Sequence, residues 1–419
     1  MERKMKMNGL TMAATALALS LGATAAMADT IRIGVLATLE GPFTVLGEDG
    51  VRGVELAVAG MDGMVAGNGI ELIVQSTDTT PDSAIRGARK LIEQDGVQVI
   101  VGPLSGSEGI AIRDFSKDYP EVTFLNGVSG AQDTTLREPS GNFFRFNTEG
   151  AQWMAGLASY IFNEKGYRSL AVVAEDYSFP YTQVFGILEP FCRLGGEADV
   201  ENRFWVPIGN KDYSSVIAAL PDEVDAIYVA LGGADAVNFL TQYQQAGGDL
   251  PLVGGSITVD QTVLGSEGRV RDAVIGTPSA GPISDTYDGE AWVEFVDSYR
   301  RLNPDGFPSP SLFAHGYYVN TLALLTGLEA VGGDLSDGGA KLRETLASMQ
   351  LETPTGTVTL DERRQAIADI FVTEVTVGPD GNLVNQTVSV TRAVTQTLGQ
   401  DYKTFLEYGV VSRENPPCD

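Results

Sequence analysis

The chain is poor in cysteine, histidine and basic residues. Its 419 residues include two Cys, one His and three Trp, and 28 Lys and Arg stand against 55 Asp and Glu. A formal net charge of -27 speaks against a nucleic-acid partner, whose phosphates need cations. The single His, and the wide separation of Cys192 and Cys418, leave no metal-ligand spacing and no C-x-x-C pair. Neither a metal nor a cofactor is expected. No G-x-S-x-G stretch is present, and a Ser–His pair would have to use His315 alone. The chain is therefore not expected to be an enzyme, and an exported hydrolase is the weaker alternative. Beyond the N-terminus no stretch is long and apolar enough to span a bilayer, and no low-complexity segment divides the chain.

What is present begins with a targeting segment. Arg3, Lys4 and Lys6 precede a short apolar run over residues 10–22, and Ala26-Met27-Ala28 has the A-x-A form. This is the pattern of an export signal, with cleavage expected after Ala28. No Cys follows the cut to carry a lipid. In an exported chain the two cysteines suggest one disulfide, Cys192–Cys418, against the alternative of two free thiols.

The body of the chain alternates strand and helix patterns. Residues 30–37, 70–75, 97–101 and 122–125 read as strands, with helices over 47–61, 81–94 and 110–117. A second series puts strands at 169–174, 203–206, 226–230 and 252–253, with helices at 152–163, 182–194, 213–220 and 234–246. Three amphipathic helices follow at 290–301, 312–331 and 341–349, and strands return after residue 353. The fold class is α/β, with two doubly wound, parallel-rich sheets. Right-handed crossovers place the strand C-terminal turns of each sheet on one edge, where ligands bind.

One such turn organises the rest. Val99-Ile100-Val101 stops at Gly102-Pro103, and Ser105-Gly106-Ser107 opens a helix. Free N–H groups at a helix start can receive a carboxylate. The alternative is an ordinary capped turn.

Several motifs carry a resemblance: Gly41-Pro42-Phe43 after the first strand, Val101 to Ser107, Asp212-Tyr213-Ser214-Ser215 followed by Val224-Asp225-Ala226-Ile227, and Gly316-Tyr317-Tyr318. In this order, behind an export signal, they resemble the periplasmic binding proteins of ABC importers, of the leucine/isoleucine/valine-binding type. The likeness covers the whole mature chain. It implies a monomeric periplasmic protein of two lobes, 29–147 with 278–352 and 148–277 with 353–419. Three crossovers would lie near 147–150, 276–281 and 350–356. A small-molecule solute would be captured in the cleft and delivered to an ABC permease at the inner membrane. A sensing domain that partners a membrane receptor is the alternative.

The resemblance also assigns a site. One lobe would contribute Phe43, Leu104, Ser105, Gly106, Ser107, Asn126, Ser129, Gly130 and Ala131, whose hydroxyls and N–H groups hold a carboxylate. The other would contribute Tyr177, Phe179, Tyr181, Gly232, Gly233, Ser256 and Ile257. Two positions depart from the family. Gly106 replaces a serine, and Ser256 replaces the acid that holds an ammonium. Asp176, Asp235 and Asp260 are the nearest acids. The expected solute is an amino acid, carboxylate or amide-like compound, with a plain α-amino acid disfavoured because an unpartnered ammonium in a closed cleft is costly. His315, Trp153 and Trp205 are expected to pack rather than bind.

Overall fold

The computed structural model describes residues 30–265, 273–416 and 418. The expected export signal lies outside them. The first sheet contains β1 (Thr30–Thr38), β2 (Met64–Val65), β3 (Asn68–Thr77), β4 (Val99–Val101), β5 (Thr123–Leu125) and β6 (Phe143–Phe144). They lie in the order β2-β3-β1-β4-β5-β6, all neighbours parallel except the β2–β3 hairpin. Successive side chains point to opposite faces. Val99 and Val101 therefore join Ile33, Val35 and Leu125, together with Val54 and Ala57 of α1 (Thr44–Ala59). Ile100 joins Leu36 and Phe124 on the other face, against α2 (Pro81–Glu93) and α3 (Gly106–Ser116).

After α4 (Gly150–Trp153) and α5 (Leu157–Asn163) comes the second parallel sheet. It is made of β7 (Leu170–Glu175), β8 (Arg203–Val206), β9 (Ala226–Ala230) and β10 (Leu252–Gly254), in the order β10-β9-β7-β8. One face packs on α6 (Ser178–Arg193) through Val184, Ile187 and Leu188. The other packs on α8 (Gly233–Gln245) through Phe239 and Leu240, with α7 (Ser214–Ala219) and α9 (Gln261–Leu264) nearby. The single helix expected over 152–163 is two, because Gly156 between them has φ +88°, a left-handed conformation that glycine adopts without penalty.

A third sheet is antiparallel. It joins β11 (Pro278–Gly281), β12 (Leu351–Thr353), β13 (Gly356–Leu360), β14 (Ala366–Val377) and β15 (Leu383–Val394). Between β11 and β12 the chain returns to the first sheet as α10 (Glu290–Leu302), α11 (Leu312–Ala330) and α12 (Ala340–Ala347). Tyr317 on α11 donates to the Leu36 carbonyl at 2.7 Å, and the Asn320 amide to the Gly127 carbonyl at 3.0 Å. The chain ends with α13 (Tyr402–Leu406) and a disulfide between Cys418 and Cys192, in the last turn of α6.

Asn147, at the first expected crossover, is held from three sides. Its side-chain oxygen accepts from Asn126 at 2.8 Å and from Asn320 at 2.9 Å, and its carbonyl accepts from Gln365 at 3.0 Å. Buried amides satisfied in this way rigidify a junction.

Candidate functional site

The carboxyl edges of the two parallel sheets face each other across a narrow cavity. The first half supplies Phe43, Leu46, Leu104, Gly106, Val128 and Gly130, and α11 adds Phe313. The second half supplies Trp153, Tyr177, Phe179 and Ile257. The lining is apolar and strongly aromatic. Its polar groups are the Tyr177 hydroxyl, the Trp153 indole and main-chain amides. The indole is already committed, donating to Thr148 Oγ1 at 2.8 Å.

Ser105 does not offer its hydroxyl to this space. It is the N-cap of α3 in a reciprocal capping box: the Glu108 N–H donates to Ser105 Oγ at 3.3 Å, and the Ser105 N–H to Glu108 Oε2 at 3.0 Å. Ser105 Oγ also donates to the Thr79 carbonyl at 3.0 Å. The helix therefore begins four residues earlier than apolar periodicity places it. The first N–H groups of α3, at Gly106 and Ser107, have no acceptor inside the helix. Ser107 Oγ instead meets Ser178 Oγ of the other half at 3.2 Å.

Gly106 and Gly130 are where Phe179 closes down. A Cβ on Gly106 would stand 2.9 Å from the Phe179 Cβ, and one on Gly130 would stand 2.7 Å from its ring. The serine missing at position 106 thus leaves room for an aromatic side chain from across the cleft. Gly233, with φ +48°, lets α8 approach the first half, where a Cβ would lie 3.1 Å from the Pro42 carbonyl and 2.9 Å from Leu46. A Cβ on Gly232 would press on Ile257 at 2.9 Å.

Other expected site residues are spent on structure. Ser129 Oγ donates to Asn126 Oδ1 at 2.6 Å, and Asn126 Nδ2 donates to the Ser129 carbonyl at 2.9 Å. Ala131 is buried, and its carbonyl accepts from Arg145 at 2.7 Å. Tyr181 is not brought to the cavity. It packs edge-on against Trp205 at 4.9 Å and donates to Asp176. Ser256 Oγ accepts from Gln183 at 2.6 Å and lines a neighbouring, more polar cleft with Asp260, Ser279, Asp285 and Asn385.

The acids were the least legible part. Asp176 is paired with Arg413 at the surface. Asp235 accepts from the Gly209 N–H at 2.6 Å, and burial raises its pKa to about 6. Asp260 caps α9 and also accepts from the Leu312 N–H at 2.8 Å, with burial raising it to about 7. The acid that sequence reasoning missed is Glu175. It is fully buried and accepts from the Gly232 N–H at 3.0 Å through Oε1. Burial holds its pKa well above the carboxylate range, with Tyr177 beside it. A carboxylate closing the otherwise apolar strand 170–175, at the ligand-facing edge, was the available signal.

His315 is buried away from the cavity. Its Nε2 lies 3.2 Å from Thr355 Oγ1, and burial lowers its pKa to about 3, so it is neutral at physiological pH. Trp153, expected only to pack, is part of the lining, as are Leu46, Val128 and Phe313.

Comparison with known proteins places this arrangement. Residues 30–382 match the Periplasmic binding protein family. The chain is 25% identical over 391 residues to the Leu/Ile/Val-binding protein homolog 6 of Brucella melitensis, covering 90% of this chain and 95% of that protein. An ABC transporter substrate-binding protein from Sphaerobacter thermophilus superposes with a TM-score of 0.78 at 28% identity, over 87% of this chain and 98% of that one. A solute-binding protein from Rhodopseudomonas palustris, solved with 3,4-dihydroxybenzoic acid, has the same fold, with a TM-score of 0.79 at 24% identity over 88% and 99% of the two chains. A family of binders, not catalysts, agrees with a site that has a closed apolar lining and a histidine remote from it. The chain belongs to the periplasmic binding protein family, as a solute-binding protein of an ABC transporter.

Proposed function

We propose that this protein captures a small aromatic or branched carboxylate in the cavity between its parallel sheets and presents the closed form to a membrane permease. The observation that carries this reading is the lining itself. It is aromatic and aliphatic on both sides, with the unpaired N–H groups of the α3 start beside Gly106. Apolar walls provide burial energy, and a helix N-terminus favours a negative group. No carboxylate belongs to the lining, so an ammonium would lack a counter-charge there. That favours an aromatic acid, of the kind the Rhodopseudomonas protein binds, over a free amino acid such as the Leu/Ile/Val-binding proteins are named for.

In this reading the lobes are 29–147 with 278–352 and 148–277 with 353–419, and they close by a hinge. Export to the periplasm follows cleavage after Ala28, and the working form is a monomer beside its permease.

The test is a binding panel read by thermal shift and calorimetry, with benzoate, 4-hydroxybenzoate, 3,4-dihydroxybenzoate and leucine. A ligand at 100 times its Kd raises stability by about 2.7 kcal/mol. An aromatic acid is expected to raise the melting temperature with one-to-one stoichiometry, and leucine to leave it unchanged. Stabilisation by leucine alone would overturn the solute class. No shift from any small solute, with no compaction in small-angle scattering, would overturn the whole reading.

A further inference from the structure

The C-terminal segment returns along α6 and touches both halves of the molecule. On the second half it is fixed at several points. Cys418 is bonded to Cys192 at the end of α6. Arg203 donates to the Pro416 carbonyl at 2.8 Å. Arg413 grips Asp176, just before the start of α6, through both carboxylate oxygens, with Nε at 2.8 Å from Oδ1. Tyr408 donates to Glu189 at 2.7 Å, and the rings of Phe405 and Tyr408 pack against Phe185 at 5.7 and 5.5 Å. The segment thus holds both ends and the middle of the helix whose first turn carries Phe179.

The same segment reaches the loop between β5 and β6 of the first sheet, which also carries Gly130. Tyr402 donates its hydroxyl to the Leu136 carbonyl, and Arg137 donates to the Gly409 carbonyl. Leu136, fully buried, shares one apolar cluster with Phe185, Phe405 and Val411. Leu136 and Arg137 are the points where the segment leaves the second half and holds the first.

We propose that residues 401–416, with Cys418, are an interlobe latch. The disulfide, Arg413 and the aromatic cluster anchor it to α6, and its grip on Leu136 and Arg137 holds the cleft closed. The latch rests on the two-lobe, hinge-closing reading above. When the lobes part, the covalently anchored side stays with α6 and the contacts to Leu136 and Arg137 break. The latch therefore biases the protein toward closure before any solute arrives, and it slows release afterwards. It also positions the first turn of α6, so that Tyr177 and Phe179 meet the first half in a defined register. Two hydrogen bonds of ordinary net worth shift a two-state equilibrium by about tenfold.

The experiment compares the full mature chain with the Arg137→Ala, Tyr402→Phe double variant, both without solute. Lobe separation is read by small-angle scattering and by spin-label distances between the two halves, and folding by cooperative thermal melting. The latch predicts a larger radius of gyration and an open-to-closed ratio raised about tenfold in a variant that still melts cooperatively. A folded variant with unchanged size and distances would overturn it, since contacts that serve stability alone lower the melting point without parting the lobes. If the double variant does not fold, Tyr402→Phe alone removes one hydroxyl and gives the same readout. The two readings fail separately. If no solute binds but the variant opens, the latch stands without the assigned function. If solute binds and compacts the wild type while the variant is unchanged in size, the latch alone falls.

Discussion

Phe179 occupies the space that any side chain on Gly106 would need, its Cβ lying 2.9 Å from where a Gly106 Cβ would stand. The two residues stand in the first turns of helices that follow strands of opposite sheets, so their contact lies between the two halves. Ala131 Cβ and Ser178 Oγ, each at 3.0 Å from the same point, leave no side to which a new group could move.

Gly106→Ser is therefore expected to block closure, even though the family resemblance leads one to expect a serine there. Overpacking of this kind costs about 1–3 kcal/mol. It should appear as solute affinity lowered tenfold or more and as a ligand-free particle of larger radius. Adding Phe179→Ala should recover part of the compaction. Calorimetry with scattering checks both, and a Gly106→Ser protein that binds as the wild type does would show that the cleft has more room than the contact indicates.

Ser105 and Ser107 should separate stability from binding. Ser105→Ala removes an N-cap and is expected to cost about 1 kcal/mol of folding stability, with little change in affinity for the bound solute. Ser107→Ala removes the interlobe bond to Ser178 and should weaken solute binding severalfold, at about 0.5–1.5 kcal/mol, with little change in melting temperature. Reversed effects would assign the carboxylate clamp to Ser105.

Glu175, Asp235 and Asp260 give the folded state an acid-favouring pH profile. Burial raises all three above their ordinary values of 4.5 for Glu and 3.8 for Asp, to about 6 for Asp235 and about 7 for Asp260. The native state keeps protons that the unfolded chain has already released, so each group lowers stability as pH rises through that window, by up to about 1.4 kcal/mol per pH unit. Unfolding free energy is expected to fall between pH 5 and pH 7, windows set by these shifts. Glu175→Gln, which keeps an acceptor for Gly232, should match the wild type near pH 5 and exceed it at pH 8, as chemical denaturation would measure. An equal loss at both pH values would mean that the carboxyl is ionised in the folded protein.

The disulfide closes a separation of 226 residues. Reduction, or Cys418→Ser, is expected to lower stability by at most about 5 kcal/mol in the chain-entropy account. Thermal melting with and without reductant checks it, and an unchanged melting point would mean that the α6 contacts alone hold the tail.

Much of the scaffold was legible because apolar periodicity reports burial directly. The strands at 203–206 and 226–230 appear at those residues. Element starts were less legible. Both α3 and α6 begin four residues before the periodic part, because their first turns are polar or cleft-facing and are set by capping and closure rather than by core burial. The antiparallel third sheet joins residues 278–281 to 366–394, a pairing that no local pattern specifies.

The candidate site divides in the same way. Phe43, Leu104, Gly106, Gly130, Tyr177, Phe179 and Ile257 are motif positions at strand ends, and they line the cavity. Leu46, Val128, Trp153 and Phe313 lie on helix faces or after turns whose pattern equally fits a core. Whether an apolar face meets a core or a cleft depends on what the rest of the chain puts opposite it.

By itself, the sequence determined the βα alternation, the edge on which the turns gather and the acidic net charge, and it suggested the cysteine pair that the structure joins. These follow from short-range periodicity, handedness and composition. Only the tertiary structure decided which groups face the cavity between the sheets. It turned Ser105 into a cap, buried Glu175 beside Tyr177, and set Phe179 against Gly106. Those outcomes depend on the distance between residues far apart in the chain, and that distance is set by packing two halves together rather than by any one stretch.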